Sequence, residues 1–392
     1  MSVPEDFAAW AASKGVELSG IEPRQLPGRG IGLVTTRDIK VSIAYMVFFF
    51  ESIVMLKQLQ AGEVLLKVPL SSFRTKRALS PEILRHTPHS LSLHGLHALA
   101  LALDIARDEP STSHWRAVLP TPSDLSSMPL LWPPALHSHL PLPARELLSK
   151  QQAKLEADWA AVSPLPLTTE GNLTRESYTH AWLLVNTRSF YYSPFPSRVD
   201  PSTTLTLIPV ADLLNHASSG CAPSFTSRGL TFAANRAYPP GEEIYTTYGR
   251  HGNDFLLTEY GFLLGDNEWD EVSLDEALLP RLKDAQRETL RSMNFLGNWM
   301  LDGRTPGCFR TQVALRVLQG IDTRTFLNGT EKPEVQARID AYLDEVLADF
   351  SGDAEGRVRE VEGMGFAGQV LATRWRQIQD LVGDSRRQLM QR

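Results

Sequence analysis

The chain has 392 residues, 42% of them apolar and 21% charged, and a formal net charge of −6. That length carries two domains, or one with a large insertion, each able to bury a core. The negative balance disfavours a broad electrostatic grip on nucleic acid, and two cysteines, Cys221 and Cys308, are too few for a disulfide framework or a cysteine-rich zinc cluster. No metal and no direct nucleic-acid partner are expected.

The opening MSVPEDFAAWAASKG is acidic and lacks the apolar run of a signal peptide, so a cytosolic or nuclear location is expected. Ser2 and Glu5 have capping-box spacing, Pro4 suits a first helical turn and Gly15 a stop, which predicts a helix over 3–14 with Phe7 and Trp10 on its buried face. Residues 31–36 and 63–68 read as strands. Between them, VSIAYMVFFFESIVMLKQL (41–59) looks membrane-like, but Glu51 interrupts it, Lys57 follows, and the remaining apolar run is too short to span a bilayer. Joining Lys40 directly to Ala61 gives strand, glycine-bearing turn and strand. Val-Ser is encodable by GTNAGT and Gln60 by CAG, the signals that open and close introns. Residues 41–60 therefore read as a translated, unspliced intron, with a genuine hydrophobic hairpin insert as the alternative.

From about Ser80 the periodicity becomes helical: 91–109, 141–162 after a proline-rich loop, and 174–190. Strand and turn character returns over 205–248, where Pro239-Pro240-Gly241 marks a turn. After about Asn267 the chain is charged and helical to its last residue, with Leu, Ile, Val and Trp at core-packing intervals.

Four stretches carry residues suited to chemistry. GRGIG (28–32) puts three glycines in five positions, so backbone amides can approach a ligand without side-chain obstruction; no helix and later acidic residue follow in the pattern of a dinucleotide fingerprint. NTRSF (186–190) precedes IPVADLLNHASSG (208–220), whose Asn215 and His216 end an apolar run; polar groups on a buried segment need partners, and a bound polar ligand can supply them. GEEIYTTYGRHGNDFLLTEYGF (241–262) puts Tyr248 and Gly249 after a strand, with Asn253, Tyr260 and Phe262 soon after.

In this order and spacing, GRGIG, NTR, ADLLNH, YGRHGN and EYGF resemble the SET domain of protein lysine methyltransferases, in the class typified by the plant Rubisco large-subunit methyltransferase. The resemblance covers residues 1–40 and 61–265. It implies an α+β fold: a β-rich SET domain over 1–266 with a helical insertion at about 80–190, then an all-helical C-terminal domain over 267–392 that grips a protein substrate. It implies S-adenosyl-L-methionine as cofactor and methyl transfer to a protein lysine amine, with ribosomal, translation-associated and histone proteins as partner classes. Carried over residue by residue, Arg29, Gly30, Gly32, Asn215, His216 and Phe262 fall at the cofactor, Phe262 against its adenine. Arg188, Asp212 and Tyr260 fall on the substrate side, and Tyr248 at the methyl-transfer channel. Lys67 departs from the pattern, standing where many relatives carry an acidic residue. Some relatives modify a protein histidine, so that acceptor is the alternative, as is a catalytically silent binding module of the same fold.

Overall fold

A computed structural model describes residues 2–50, 53–192 and 204–391, which group into two compact units. The first takes in Met1–Leu125 and Gln152–Gly249, and the second Ser126–Gln151 and Arg250–Arg392.

In the first unit the opening helix is Val3–Ser13, its first turn tied by the Glu5 carboxylate accepting from the Ser2 N–H at 2.7 Å. It buries Phe7, whose ring stacks on Trp10 at 5.5 Å, and the chain leaves the helix through Gly15 at φ 81°. Two four-stranded sheets follow. In one, Glu17–Leu18, Val64–Pro69, Gly229–Ala233 and Pro223–Thr226 lie side by side; in the other the order is Ile21–Leu26, Gly30–Thr35, Glu243–Thr246 and Asn215–Cys221. Lys67 stands opposite Glu17 in the first sheet, where an exposed cross-strand ion pair at 2.6 Å holds it. In the second sheet the Glu243–Thr246 strand pairs antiparallel with Gly30–Thr35 and parallel with Asn215–Cys221. Segments more than 180 residues apart in sequence thus become hydrogen-bonded neighbours.

Residues 41–50 and 53–60 form most of a two-stranded ladder. Strands Val41–Phe50 and Ile53–Gly62 pair only with each other, from Phe50↔Ile53 down to Val41↔Gly62; Glu51, on which the sequence reading leaned, lies outside the described residues. An insert of either origin would give such a ladder. The flanking chain keeps its own contacts: Ile39 bridges to Tyr238, and Ala234 donates its N–H to the Glu63 carbonyl at 2.9 Å. Gly62 belongs to this frame, because a Cβ there would sit 1.7 Å from the Ala234 carbonyl oxygen. Deleting residues 41–60 would leave Lys40 and Glu63 flanking a two-residue Ala61-Gly62 turn, a hairpin length that favours glycine. We predict that this deletion variant unfolds in one cooperative thermal transition at a temperature no lower than that of the full chain. Loss of cooperativity would make the hairpin part of the fold.

The helical block packs Leu93–Ala106 against Arg175–Arg188, with Trp182 and Tyr178 buried. His94 stacks on Trp182 at 4.1 Å, donates from Nε2 to the Trp182 carbonyl, and accepts the Lys154 ammonium on Nδ1 at 3.0 Å. Burial, reinforced by that ammonium, lowers its pKa to about 3, so His94 is a neutral structural group.

The second unit is built on the long helices Pro333–Val361 and Gly365–Met390. Its core combines Leu343, Leu347, Leu371 and Ile378 with Trp132, Leu136, Leu140 and Leu148 from the earlier segment and Leu257 from the helix Asn253–Tyr260. That shared core, and the Gln151 amide donating to the Thr258 carbonyl at 3.1 Å, group residues 126–151 and 250–266 with the C-terminal helices, whereas the sequence reading sets its boundary at 266. A short ladder, Glu271–Ser273 with Met300–Asp302, accompanies the helices. No helix among the described residues is long and apolar enough to cross a membrane, and no group of three or more His, Cys, Asp or Glu among them could hold a metal ion.

Candidate active site

The second sheet of the first unit assembles the glycine turn, the Asn-His segment and Tyr248. Strands Ile21–Leu26 and Gly30–Thr35 form a hairpin in which Leu26 pairs with Gly30, so Pro27, Gly28 and Arg29 make the loop. Gly28 and Gly30 have φ of 69° and 70°, a conformation that glycine reaches without a Cβ penalty. Gly32 is required for a different reason. A Cβ there would lie 2.8 Å from Glu243 Oε1 and 3.2 Å from Asn215 Nδ2, so the absent side chain makes room for a polar pair.

That pair centres on Glu243, a carboxylate only 8% exposed. Its Oε1 accepts from Asn215 Nδ2 at 2.7 Å, and its Oε2 accepts from Arg29 at 2.8 Å and from the Tyr245 hydroxyl at 2.6 Å. Arg29 also donates to the Tyr245 oxygen at 2.5 Å. This bond, then the Glu243 charge, raises the Arg29 pKa, while burial and the same carboxylate raise that of Tyr245. Glu243 and Tyr245 face the same side because strand residues two apart do so. Neither was singled out from sequence. The available signal was a charged residue in a strand flanked by Ile244 and Tyr245, which a buried position tolerates only with partners.

Chain path brings Asn215 and His216 to this place at some cost. Val210, fully buried, takes φ 77° and ψ −50°, a strained conformation for a β-branched residue, worth about 1–3 kcal/mol. The 3-10 turn Ala211–Leu213 follows, fixed by Asp212 N–H to the Ile208 carbonyl and Leu213 N–H to the Val210 carbonyl, each at 3.1 Å. Asn215 then stands opposite Tyr245, and Gly220 comes so close to the facing strand that a Cβ would meet the Tyr245 carbonyl oxygen at 2.6 Å.

Tyr248 is fixed at both ends. Its backbone N–H donates to His216 Nδ1 at 3.0 Å, its ring lies 5.1 Å from the imidazole, and its hydroxyl donates to the Leu214 carbonyl at 2.9 Å. Accepting on Nδ1 leaves the neutral His216 ring with its proton on Nε2. Burial pushes the Tyr248 hydroxyl up to about 12, so it stays protonated near neutrality.

Arg188, the last residue of its helix, donates to the Asp212 carbonyl at 2.5 Å. The Asp212 carboxylate is turned inward, fully buried, with Oδ2 accepting the Trp115 indole N–H at 2.9 Å. Burial raises its pKa and Arg188 opposes the rise. Asp212 Oδ1 and Arg188 Nε are buried without a hydrogen-bond partner among the described residues. Asp212 thus holds the Asn-His loop and Arg188 in place and does not reach an open surface. Tyr260 and Phe262 lie in the second unit, with ring centres 6.2 Å apart on either side of Gly261, which ends its helix at φ 79°. Of the ten sequence-designated positions, the structure therefore gathers Arg29, Gly30, Gly32, Arg188, Asp212, Asn215, His216 and Tyr248 in one unit and Tyr260 and Phe262 in the other.

No family model matches the chain. Among solved structures, the SET domain of LSMT bound to lysine and AdoHcy aligns over all of this chain and 92% of its own, with TM-score 0.63 and 16% identity. Rubisco LSMT bound to AdoMet aligns over the same shares with TM-score 0.61 and 16% identity. The chain has the fold of these SET-domain structures, with a helical C-terminal region. In sequence it is 25% identical over 379 residues, 92% of this chain and 90% of the relative, to the ribosomal lysine N-methyltransferase set11 of Schizosaccharomyces pombe.

Proposed function

We propose that the chain is an S-adenosylmethionine-dependent protein-lysine N-methyltransferase, and that its substrate is a ribosomal protein, the class named for the Schizosaccharomyces pombe relative. The carrying observation is the linkage of three sequence-remote motifs in one sheet: Gly32 lies against the Asn215–Glu243 pair, and the next residue, His216, accepts from the Tyr248 backbone.

The residues fit the cofactor. Gly32 leaves a cradle that a Cβ would fill, and Gly30 faces open space, so backbone can come close to a ligand. Arg29, Gly30, Gly32, Asn215 and His216 would hold the cofactor. When bound, S-adenosylmethionine supplies a sulfonium-activated methyl group.

The chain's own part is positioning and control of protonation. A free lysine amine has a pKa of about 10.4 and must be neutral to act as a nucleophile. Apolar surroundings and a neighbouring positive charge both lower that value. Tyr248, protonated at neutral pH, is no base; it aligns the incoming amine through a hydroxyl anchored on the Leu214 carbonyl.

Purified chain incubated with methyl-labelled cofactor and ribosomes from cells lacking it is expected to place label on lysine of a ribosomal protein, read by peptide mass spectrometry. Label on histidine would replace the lysine assignment. No protein-bound label from chain that binds S-adenosylhomocysteine would leave a binding module.

A further inference from the structure

Trp269, half-buried in the second unit, carries two guanidinium groups. Arg250 Cζ lies 4.6 Å and Arg304 Cζ 4.8 Å from the centre of its indole ring, the range of a cation on an aromatic face. Local structure brings the three together. Asn267 donates to the His251 carbonyl at 2.9 Å and accepts the Trp269 N–H at 3.0 Å, which ties the indole to the residue after Arg250. The ladder of Glu271–Ser273 with Met300–Asp302 begins two residues beyond Trp269, and at its far end Asp302 Oδ1 accepts the Arg304 N–H at 2.9 Å and the Thr305 N–H at 2.8 Å. Both arginines are exposed, but they are not equally satisfied. Arg304 reaches Glu268 at 3.1 Å, whereas Arg250 makes no hydrogen bond and no ion pair among the described residues. One positive charge of the pair is left uncompensated, on a guanidinium that the indole holds in place and whose N–H groups match a carboxylate.

Arg250 stands two residues beyond Tyr248, a stretch of at most about 7 Å, so an anion held there lies close along the substrate from the amine that Tyr248 aligns. A nucleic-acid backbone is the poorer match. Its binding rests on many cations acting together, and the net charge of this chain is −6. One acidic side chain tethered to a bound lysine needs only a single such contact, because tethering raises its effective concentration. We propose that Arg250, held with Arg304 on Trp269, is a specificity-determining residue that reads an Asp or Glu of the protein substrate within about four residues of the acceptor lysine. The inference rests on the methyltransferase reading and names what its substrate must carry.

Full chain, as wild type, Arg250→Gln and Arg250→Glu, is assayed on the protein that takes label on lysine, purified free of RNA, and on intact ribosomes. Arg250→Glu is expected to raise KM about 10-fold with kcat within about twofold, since an exposed charge-assisted contact is lost and a like-charge contact replaces it. S-adenosylhomocysteine affinity and the thermal transition are expected to match wild type, which separates a lost contact from a lost fold. Changing the substrate's acid to arginine is expected to lower KM for Arg250→Glu and to raise it for wild type, a reversal that a merely structural arginine does not produce. No acid within that reach, a KM for Arg250→Glu within about twofold of wild type, or a loss that no acid-to-arginine exchange recovers overturns the proposal. A loss confined to intact ribosomes also overturns it and assigns the pair to RNA phosphate. Should Arg250→Glu not fold, Arg250→Gln decides: the wild-type preference for the acid over its amide at that substrate position is expected to vanish, and its persistence overturns the proposal. Wild-type chain that binds S-adenosylhomocysteine and labels no lysine would instead defeat the lysine methyltransferase reading, and this inference with it.

Discussion

Tyr248→Phe is expected to slow methyl transfer about 100-fold or more, the scale of a lost alignment at a reacting centre, with S-adenosylhomocysteine binding within about twofold of wild type. The backbone N–H that reaches His216 is untouched by the substitution, so the ring keeps its place against the imidazole. What goes is the hydroxyl and its bond to the Leu214 carbonyl, a loss of about 1 kcal/mol in stability. Because burial holds that hydroxyl at about 12, it carries no charge change between pH 6 and 9. Any rise of rate with pH in that range belongs to the substrate amine losing its proton. Single-turnover rates against pH, with calorimetry on the same preparations, check both halves. A mutant that turns over like wild type would remove Tyr248 from the mechanism.

Arg374→Met is expected to destabilise the second unit by about 3–5 kcal/mol, the cost of leaving buried charge unpaired. Arg374 is fully buried on the helix Gly365–Met390, with Nε on Asp254 at 2.7 Å, Nη1 on Asp270 at 2.6 Å and Nη2 on the Glu271 carbonyl at 3.1 Å. Burial favours the neutral acid at Asp254, and the Arg374 charge is what opposes it. Asp270 in turn accepts the Asn253 N–H at 2.8 Å, at the start of the helix that Gly261 ends. Removing the cation therefore loosens the segment carrying Tyr260 and Phe262. Adding Asp254→Asn and Asp270→Asn to Arg374→Met is expected to restore part of the loss, since the uncompensated charges go with it. Urea unfolding of the three proteins measures this; a cost below about 1 kcal/mol for Arg374→Met alone, the size of an exposed pair, would show that the pairing is not what holds this region.

The elements closest to local rules were legible in the sequence. The capping residues of Val3–Ser13, the turn glycines at 15 and 28, and the helices Leu93–Ala106, Leu142–Val162 and Arg175–Arg188 follow from caps, breakers and periodicity within a few residues of one another. Asn215, His216 and Tyr248 stood out because polar residues at the ends of apolar runs need an explanation. Asn253 shows the limit of that signal. It looked like a site residue, and it is buried in hydrogen bonds to Asp270, the Leu264 carbonyl and Gln377. Asp212 is likewise buried, with its Oδ2 accepting from the Trp115 indole.

The helices, the turns and the candidate motifs were legible in the sequence alone, because each depends on residues near one another in the chain; the fold class came with the resemblance that the ordered motifs carry. Only the tertiary structure decided that Glu243 links Arg29 to Asn215, that Arg374 neutralises Asp254 and Asp270, and that residues 126–151 join the C-terminal helices. A carboxylate's role depends on what stands within about 3 Å of it, and those neighbours came from as far as 214 residues away. Spacing along the chain carries no record of such distances.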